Sequence, residues 1–293
     1  MRSDQEMMDL ILNIASIDER IRAVYMNGSR TNPNVPKDIF QDYDIVYVVT
    51  ETESFIMDEY WIHIFGELLM LQEPDKNNQS WGDQAGFQQS YGYLMLFKDG
   101  NRIDLHIETK EKMLEEYGND KLTVPLLDKD NILPSIPDPT DIDYHVKQPT
   151  AAIYFSCCND FLWCLQNVAK GIWRDELPYA KQMFESIIRP HLDEMVSWWI
   201  GCKTDFRISV GKMGKYFKEY LPNSYWQQYE KTYSDASYER LWNSIFVTCE
   251  LFRMLAKEVG KKFSFIYPIE DDRNMMEYLK HVRNLPSEAK EIY

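Results

Sequence analysis

Apolar residues follow two different spacings in the two halves of this 293-residue chain. In the first half, short continuous or alternating apolar runs are typical of β-strands. In the second half, apolar side chains recur every three or four positions, as on one face of an α-helix. The apolar runs predict strands over 21–26, 44–50, 68–71, 91–97 and 102–107. An Asp99-Gly100 pair separates the last two and indicates a β-hairpin.

Helical spacing also occurs between the predicted strands. It covers 4–17, 54–65 and 109–117, and Ser54 is the candidate N-cap of the second of these helices. The stretch 72–90, which includes Ala85-Gly86, is polar and has no apolar period. It is predicted as a long loop that covers another part of the molecule.

A segment rich in proline and aspartate, Ser135-Ile136-Pro137-Asp138-Pro139-Thr140-Asp141, separates the two halves. We place an N-terminal domain at 1–134, a linker at 135–148 and a helical domain at 149–293. Helices are predicted over 151–168, 178–199 with a kink at Pro190, 237–259 and 271–283. The expected fold is therefore α+β with two domains: a mixed β-sheet flanked by helices, and an all-α helical bundle.

The chain is strongly acidic, with a formal net charge of -15. This charge disfavours nucleic acid and anionic membrane as partners and favours a cationic ligand. The five cysteines show no C-x-x-C spacing, which argues against a disulfide framework or a zinc site. We see no signal peptide and no apolar run of the ~20 residues that a membrane span needs, so we expect a cytoplasmic protein.

Two aspartates open the second predicted strand. Asp42 and Asp44 are two positions apart, so their side chains point to the same side, and Tyr43 points to the other. Carboxylates held side by side repel unless a cation lies between them. Oxygen ligands of this kind suit Mg²⁺, which also bridges to phosphates. The pair therefore predicts a site for a metal and a nucleotide.

A third carboxylate, Asp104, lies on the predicted arm 102–107, where it shares one face with His106 and Glu108. If this arm pairs beside the Asp44 strand, three carboxylates lie together and hold one or two Mg²⁺ ions. Two ions can clamp the attacking and leaving oxygens of an in-line displacement at phosphorus. His106 either orients Asp104 or is an ordinary strand position.

The first predicted strand ends in Gly28-Ser29-Arg30. A glycine lets the backbone approach a phosphate closely, and the Ser29 hydroxyl and nearby backbone N–H groups can bind phosphate oxygens. Arg30 can add a charge-assisted contact.

The order of these motifs resembles the signature of the nucleotidyltransferase superfamily that is related to DNA polymerase beta. The surrounding sequence resembles the aminoglycoside 6-adenylyltransferases (streptomycin adenylyltransferases), and the resemblance extends nearly from end to end. It is carried by the segments 26–32, 41–45, 71–75, 102–105, 173–181 and 211–216.

The resemblance implies transfer of AMP from ATP to a hydroxyl of an aminoglycoside, specifically the 6-hydroxyl of streptomycin, with release of pyrophosphate and inactivation of the drug. It implies that Asp42 and Asp44 hold the Mg²⁺ that binds the triphosphate, which Ser29 grips. Asp104 would face the acceptor hydroxyl as a ligand of a second Mg²⁺, as the general base, or as both.

The second half offers candidates for the two substrates. Asp175, Glu176 and Tyr179 belong to a motif of the resembled family and are the candidates for binding the cationic drug, although the two acids suit a helix start equally well. Lys212 and Lys215, three positions apart, would share a helix face and meet the triphosphate, unless they form a solvated basic turn.

Two other functions fit the N-terminal motifs. A nucleotidyltransferase fold can bind a nucleotide without chemistry, although such a protein should lack one of the three carboxylates. An enzyme that adenylylates RNA or a protein would share the motifs, but the acidic composition counts against RNA.

Overall fold

The computed structural model describes residues 1–82 and 86–293. The chain divides into two compact units, Met1–Asp143 and Tyr144–Tyr293. The first contains a mixed β-sheet with helices and the second is helical, which confirms the predicted fold class. Within the described residues, no helix combines the length and the apolar character that crossing a membrane requires.

The proline- and aspartate-rich segment is bound to the first unit. The Thr140 N–H donates to the carbonyl oxygen of Lys121 at 3.0 Å. The side-chain amide of Asn34 donates to the carboxylate of Asp141 at 2.8 Å. The boundary between the units falls after Asp143, inside the stretch 135–148. The first part of this stretch is therefore anchored along the first unit.

Six strands of the described chain form one sheet. They are β1 (Ile21–Asn27), β2 (Tyr43–Val49), β3 (Leu68–Gln72), β4 (Ser90–Phe97), β5 (Arg102–Thr109) and β6 (Thr123–Asp128). Their order across the sheet is β3-β4-β5-β2-β1-β6. The central pair, β2 and β5, runs parallel, and every other neighbouring pair is antiparallel. The predicted hairpin is present as β4 and β5.

Alternation along β5 separates apolar from polar side chains. Ile103, Leu105 and Ile107 are fully buried in the main core of the sheet unit. Asp104 and His106 point to the opposite face. On β2 that second face continues through Val46 and Val48, which belong to a smaller core cluster. Asp104 and His106 therefore lie toward one end of this face, and the buried Glu108 lies beside Val48 at the other.

Four α-helices accompany the sheet in the described residues of the first unit. They are α1 (Asp4–Ile17), α2 (Glu53–Met57), α3 (Pro74–Ser80) and α4 (Lys110–Glu116). The first begins where Ser3 and Glu6 form a capping box, and it buries Met7, Ile11 and Ala15 at four-residue spacing. The helix predicted over 4–17 is confirmed.

Two predictions for the first unit were wrong. The helix predicted over 54–65 is broken: α2 ends at Met57, and a separate 3₁₀ turn follows at Trp61–Phe65. Its N-cap is Thr52, and Ser54 lies inside the helix. The loop predicted over 72–90 contains α3, and its residues 83–85 lie outside the described residues.

Strand β6 is an element that the apolar pattern did not predict. It contains Pro125, and a proline inside a strand normally argues against that assignment. Among the strands that the structure describes, it pairs only with β1 and forms the edge of the sheet, where a missing N–H is tolerated.

The second unit consists of helices and connecting turns. The helices are α5 (Ala151–Trp173), α6 (Leu177–Met183), α7 (Arg189–Lys203), α8 (Phe217–Tyr220), α9 (Asn223–Glu230), α10 (Tyr238–Phe263) and α11 (Ile269–Arg283). The Thr150 side chain caps α5 by accepting from the Ile153 N–H. The Phe161 and Phe252 rings stack in the core with centroids 3.8 Å apart, joining α5 to α10.

The helical stretch predicted over 178–199 is irregular just before Pro190. A π-helical turn at Phe184–Ile188 separates α6 from α7, and Pro190 lies in the first turn of α7. A proline is tolerated there because the first N–H groups of a helix have no partner within it. Arg189 ties the turn to the rest of the unit, since it pairs with Glu185 and donates to the Thr232 carbonyl at 3.1 Å.

Candidate active site

The structure brings the predicted carboxylates together on the central strands. Asp44 of β2 is the register partner of Asp104 of β5, because the two strands pair in parallel. Asp42 lies two positions before Asp44, and the intervening Tyr43 is buried in the core. The strand register therefore supplies the side-by-side arrangement that the sequence pattern required.

A cavity of about 280 Å³ opens beside these carboxylates. Its lining residues are Asn27, Gly28, Asp44, Ile45, Val46, Leu94, Asp104, His106 and Asp120. The cavity joins the end of β1 to the polar face of β5. His106 therefore belongs to the same cavity as Asp44 and Asp104.

Two of the carboxylates, Asp42 and Asp44, have raised pKa values. Burial, together with the neighbouring Asp104 and Asp42 carboxylates, raises the pKa of Asp44 to about 6. Burial also raises the pKa of Asp42, although the Arg102 guanidinium acts in the opposite direction. The site thus concentrates negative charge in a partly buried position, where the ionised carboxylates are electrostatically unfavourable without a cation.

The Arg102 guanidinium partly compensates for this charge. Its Nε and Nη2 atoms donate to the two carboxylate oxygens of Asp104 at 2.7 and 2.6 Å. Its Nη1 atom lies 3.3 Å from a carboxylate oxygen of Asp42. Arg102 therefore bridges two of the three carboxylates. The sequence contained the signal for this contact, because Arg102 is two positions before Asp104 and shares its face.

The donor chemistry fits a divalent cation. The carboxylate oxygens of Asp42, Asp44 and Asp104 are the hard ligands that Mg²⁺ prefers, and they lie on one sheet face. Among the described residues, no three His, Cys, Asp or Glu side chains converge closely enough to form a complete metal site by themselves. A cation would therefore draw further ligands from its own waters and from phosphate oxygens, as Mg²⁺ commonly does.

Gly28 leaves space for the Asp44 carboxylate. It has a φ of 77°, and a Cβ atom added to it would lie 2.1 Å from Asp44 Oδ2. A 3₁₀ turn, Ser29–Thr31, begins immediately after it. The Gly28 N–H donates to the Leu122 carbonyl at 3.1 Å, so this N–H is already used within the protein.

Arg30 is bound within the protein through all three guanidinium nitrogens. It donates to the Asp4 carboxylate at 2.6 Å and to the carbonyl oxygens of Gln41 at 2.9 Å and Asp42 at 3.1 Å. Its guanidinium carbon lies 3.6 Å from the centroid of the Tyr43 ring. These contacts fix the backbone at the start of β2 and so orient Asp42. The phosphate contact that the sequence suggested for Arg30 stays a prediction.

The drug-binding candidates are all exposed: Asp175 and Glu176 lie on the turn between α5 and α6, and Tyr179 lies in the first turn of α6. Asp175 has a φ of 59° and ends α5 in a Schellman motif, in which the Glu176 N–H donates to the Gly171 carbonyl at 2.8 Å. A Cβ added to Gly171 would meet the Tyr179 ring at 2.8 Å, so this glycine makes room for the aromatic side chain.

The predicted helix face of Lys212 and Lys215 is not formed. The segment is a single 3₁₀ turn, Lys212–Gly214, in which Met213 has a left-handed conformation with a φ of 56°. The flanking Gly211 and Gly214 also have positive φ values, which interrupts any regular helix. Both lysines are exposed on this turn.

Comparison with known proteins identifies the family. The model of the streptomycin adenylyltransferase family matches residues 1–282. The chain belongs to the streptomycin adenylyltransferase family.

Relatives agree with this membership. The aminoglycoside 6-adenylyltransferase of Campylobacter jejuni is 42% identical over 273 residues, which cover 93% of each chain. The enzyme of the same name from Bacillus subtilis (strain 168) is 40% identical over 274 residues, covering 93% of this chain and 95% of that one. A crystal structure of an aminoglycoside 6-adenyltransferase from Bacillus subtilis covers 97% of this chain and 100% of that chain, at 34% identity and a TM-score of 0.48.

Membership of the streptomycin adenylyltransferase family confirms the resemblance seen in the sequence and places the chain among nucleotidyltransferases. The structure adds residues that the motifs did not single out. Asn27 and Leu94 line the cavity beside the expected carboxylates. Asp120 lies just before β6, in a stretch for which the apolar pattern gave no signal.

Proposed function

We propose that this protein transfers AMP from ATP to a hydroxyl of an aminoglycoside, with Mg²⁺ as the cofactor and the 6-hydroxyl of streptomycin as the acceptor. The observation that carries the proposal is the register of Asp44 against Asp104, with Asp42 on the same side, in a member of the streptomycin adenylyltransferase family. The product is an adenylylated and inactivated drug.

The reaction forms one bond to phosphorus and breaks another. The acceptor hydroxyl oxygen bonds to the α-phosphorus of ATP, and the bond between that phosphorus and the pyrophosphate oxygen breaks. Pyrophosphate leaves with the electron pair of the broken bond. Asp104 receives the proton of the hydroxyl, because it is the carboxylate on the neighbouring strand that faces the cavity beside Asp44.

Asp42 and Asp44 would hold the Mg²⁺ that accompanies the triphosphate, and Asp104 would also be a ligand of a second Mg²⁺. The bound cation would neutralise charge on the phosphates and orient them for in-line displacement. Arg30 contributes by fixing the Asp42 backbone, and Gly28 contributes by leaving room for the Asp44 carboxylate. The Ser29 hydroxyl, in the turn that follows, binds a terminal phosphate oxygen.

The second unit supplies the contacts to the drug. Aminoglycosides carry several positive groups, and a protein with a net charge of -15 attracts them. Asp175 and Glu176, on the exposed turn after α5, bind these groups, and Tyr179 packs against the sugar. Lys212 and Lys215 are the candidates in this unit for binding phosphate oxygens of the nucleotide.

Pyrophosphate release with Mg-ATP and a panel of aminoglycosides tests the proposal. We expect release with streptomycin, an adduct heavier by one AMP, and location of that AMP at the 6-hydroxyl by NMR. Asp42→Asn and Asp44→Asn should each lower kcat/KM by about a thousandfold, as expected when charge stabilisation at phosphorus is lost.

Asp130→Asn is the matched control, because Asp130 also pairs with an arginine of the same unit but at the far end of β1. It should retain full activity. ATP binding without turnover on any acceptor would contradict the proposal and would favour a protein that only binds nucleotide. Full activity of Asp42→Asn would contradict the assigned site.

A further inference from the structure

Arg102 makes the closest set of contacts to the carboxylates of the candidate site. Two of its nitrogens bind both oxygens of Asp104, and the third faces Asp42 at 3.3 Å. Bidentate arginine–carboxylate pairs of this kind are among the stronger charge-assisted hydrogen bonds. Arg102 thus does geometrically what a bound cation would do: it lies between two carboxylates that would otherwise repel.

The position of Arg102 follows from the strand. It is the first residue of β5 and precedes Asp104 by two, so both side chains leave the same face. Its side chain is 42% exposed, compared with 18% for Asp104 and 34% for Asp42. The guanidinium therefore lies on the solvent side of the carboxylates and can move outward without disturbing the core.

We propose that Arg102 is a built-in counter-cation, a positioning residue that aligns Asp42 and Asp104 and competes with the divalent cation for them. The guanidinium holds the two carboxylates on one face while the site lacks a nucleotide. It gives them up when the metal–nucleotide complex enters. This inference rests on the proposed function, because that function supplies the cation that replaces Arg102.

If Arg102 competes with the divalent cation, its removal has an effect that the removal of a purely structural salt bridge would not have. Removing the guanidinium should weaken the fold slightly and at the same time strengthen binding of a divalent cation. A substitution that only damages the site would weaken both. The two directions of change therefore separate a counter-cation from an ordinary surface ion pair.

The test uses the full-length protein with Mn²⁺ as the probe and no nucleotide. Arg102→Gln should bind Mn²⁺ roughly three- to tenfold more tightly than the wild type by isothermal titration calorimetry, since a partly exposed ion pair contributes only about 1 kcal/mol. Its melting temperature in EDTA should fall, and Mn²⁺ should raise it by more than it does in the wild type.

Arg22→Gln is the matched control. Arg22 also makes a bidentate pair, with Asp130, at the far end of the sheet unit. Its loss should destabilise the fold without changing Mn²⁺ affinity. Arg102→Lys, which keeps the charge but loses the fork of donors, should bind Mn²⁺ with an affinity between those of the wild type and Arg102→Gln.

An Arg102→Gln protein that is folded by circular dichroism and binds Mn²⁺ no more tightly than the wild type would overturn the proposal, including the case in which neither binds. Failure of the proposed function can be distinguished from failure of this inference. If the wild type adenylylates no aminoglycoside but Arg102→Gln still gains Mn²⁺ affinity, the counter-cation remains and only the reaction is wrong.

Discussion

The candidate residues of the two units are positioned in opposite ways. In the sheet unit, Asp44 and Asp104 are fixed by the hydrogen-bonded register of two central strands. In the helical unit, Asp175 and Glu176 lie on an exposed turn whose geometry is explained by ending one helix and starting the next. The backbone therefore explains why the two carboxylates lie side by side in the sheet unit, and it explains only the shape of a turn in the helical unit.

This difference shows where precise placement is needed. Charge stabilisation at phosphorus depends on atoms held to within fractions of an ångström, and paired strands provide that rigidity. Recognition of a cationic drug needs negative charge near its amino groups, and an exposed turn is sufficient for that. Substitutions should therefore have large effects at the sheet and small effects at the turn.

Apart from the loss of a carboxylate itself, the largest effect is expected at Gly28. Gly28→Ala would place a methyl group 2.1 Å from Asp44 Oδ2, which must displace that carboxylate. We expect kcat/KM to fall about a hundredfold, since a shift of about 1 Å in a reacting group costs that much. Steady-state kinetics with Mg-ATP and streptomycin measures it.

Gly100→Ala separates this clash from backbone strain. Gly100 also has a positive φ, of 88°, but no atom lies within 4 Å of an added Cβ atom. This variant should lose some stability and keep its activity. If Gly28→Ala and Gly100→Ala lost activity equally, the space needed by the Asp44 carboxylate would not explain why residue 28 is a glycine.

A smaller effect, on stability, is expected from Glu108, which lies on the same face of β5 as Asp104. It is 3% exposed and accepts a hydrogen bond from the Tyr25 hydroxyl at 2.6 Å. Burial raises its pKa to about 7. Between the ordinary pKa of about 4.5 and 7, the folded protein keeps a proton that the unfolded chain releases.

The free energy of unfolding should therefore decrease as the pH rises from 5 to 7, by about 2 to 3 kcal/mol, and then level off. Glu108→Gln should remove this part of the pH dependence and be the more stable protein at pH 8. Urea denaturation at several pH values measures it, with Glu111→Gln on α4 as an exposed control. Equal pH dependence in the Glu108→Gln and wild-type proteins would contradict it.

The smallest effect is expected at the turn after α5. Asp175→Asn keeps a residue that tolerates a positive φ and removes only the charge. We expect KM for streptomycin to rise about two- to fivefold, as for an exposed charge pair, while KM for ATP stays constant. Glu176→Gln should behave similarly.

Asp205→Asn is the control for this turn, because Asp205 is also an aspartate with a positive φ, of 51°, in the helical unit. It should leave both KM values unchanged. A change in KM for ATP, or an equal effect from Asp205→Asn, would mean that the acidic turn is not specific for the drug.

Much of the sheet site followed from two-residue alternation. That pattern placed Asp42 with Asp44, and Asp104 on the polar face of its strand. It could not establish that the two strands are parallel neighbours, because pairing between distant segments leaves no local trace. The same alternation places Arg102 on the face of Asp104, but an arginine at a strand start is also common on surfaces and does not by itself predict an ion pair.

Three other elements were not predicted because their sequences depart from the usual patterns of strands and helices. Strand β6 contains Pro125, which is acceptable only because the strand is at an edge. Helix α3 is wholly polar, so it shows no apolar period, and its start is marked only by Pro74. The turn at Lys212–Gly214 was mistaken for helix, although its flanking glycines favour positive φ values.

The parallel pairing of β2 with β5 also has a consequence for how the chain acquires its chemistry. Asp44 and Asp104 are far apart in sequence, and they meet only when the central strands of the sheet close. Such non-local contacts are slow to form, because closing the long intervening loop costs chain entropy before the pairing can offset it. Arg102 lies on the same strand as Asp104, so the pairing of β5 with β2 brings the positive charge to the site together with the carboxylate. A partly folded or newly synthesised chain would thus carry these residues without an assembled site.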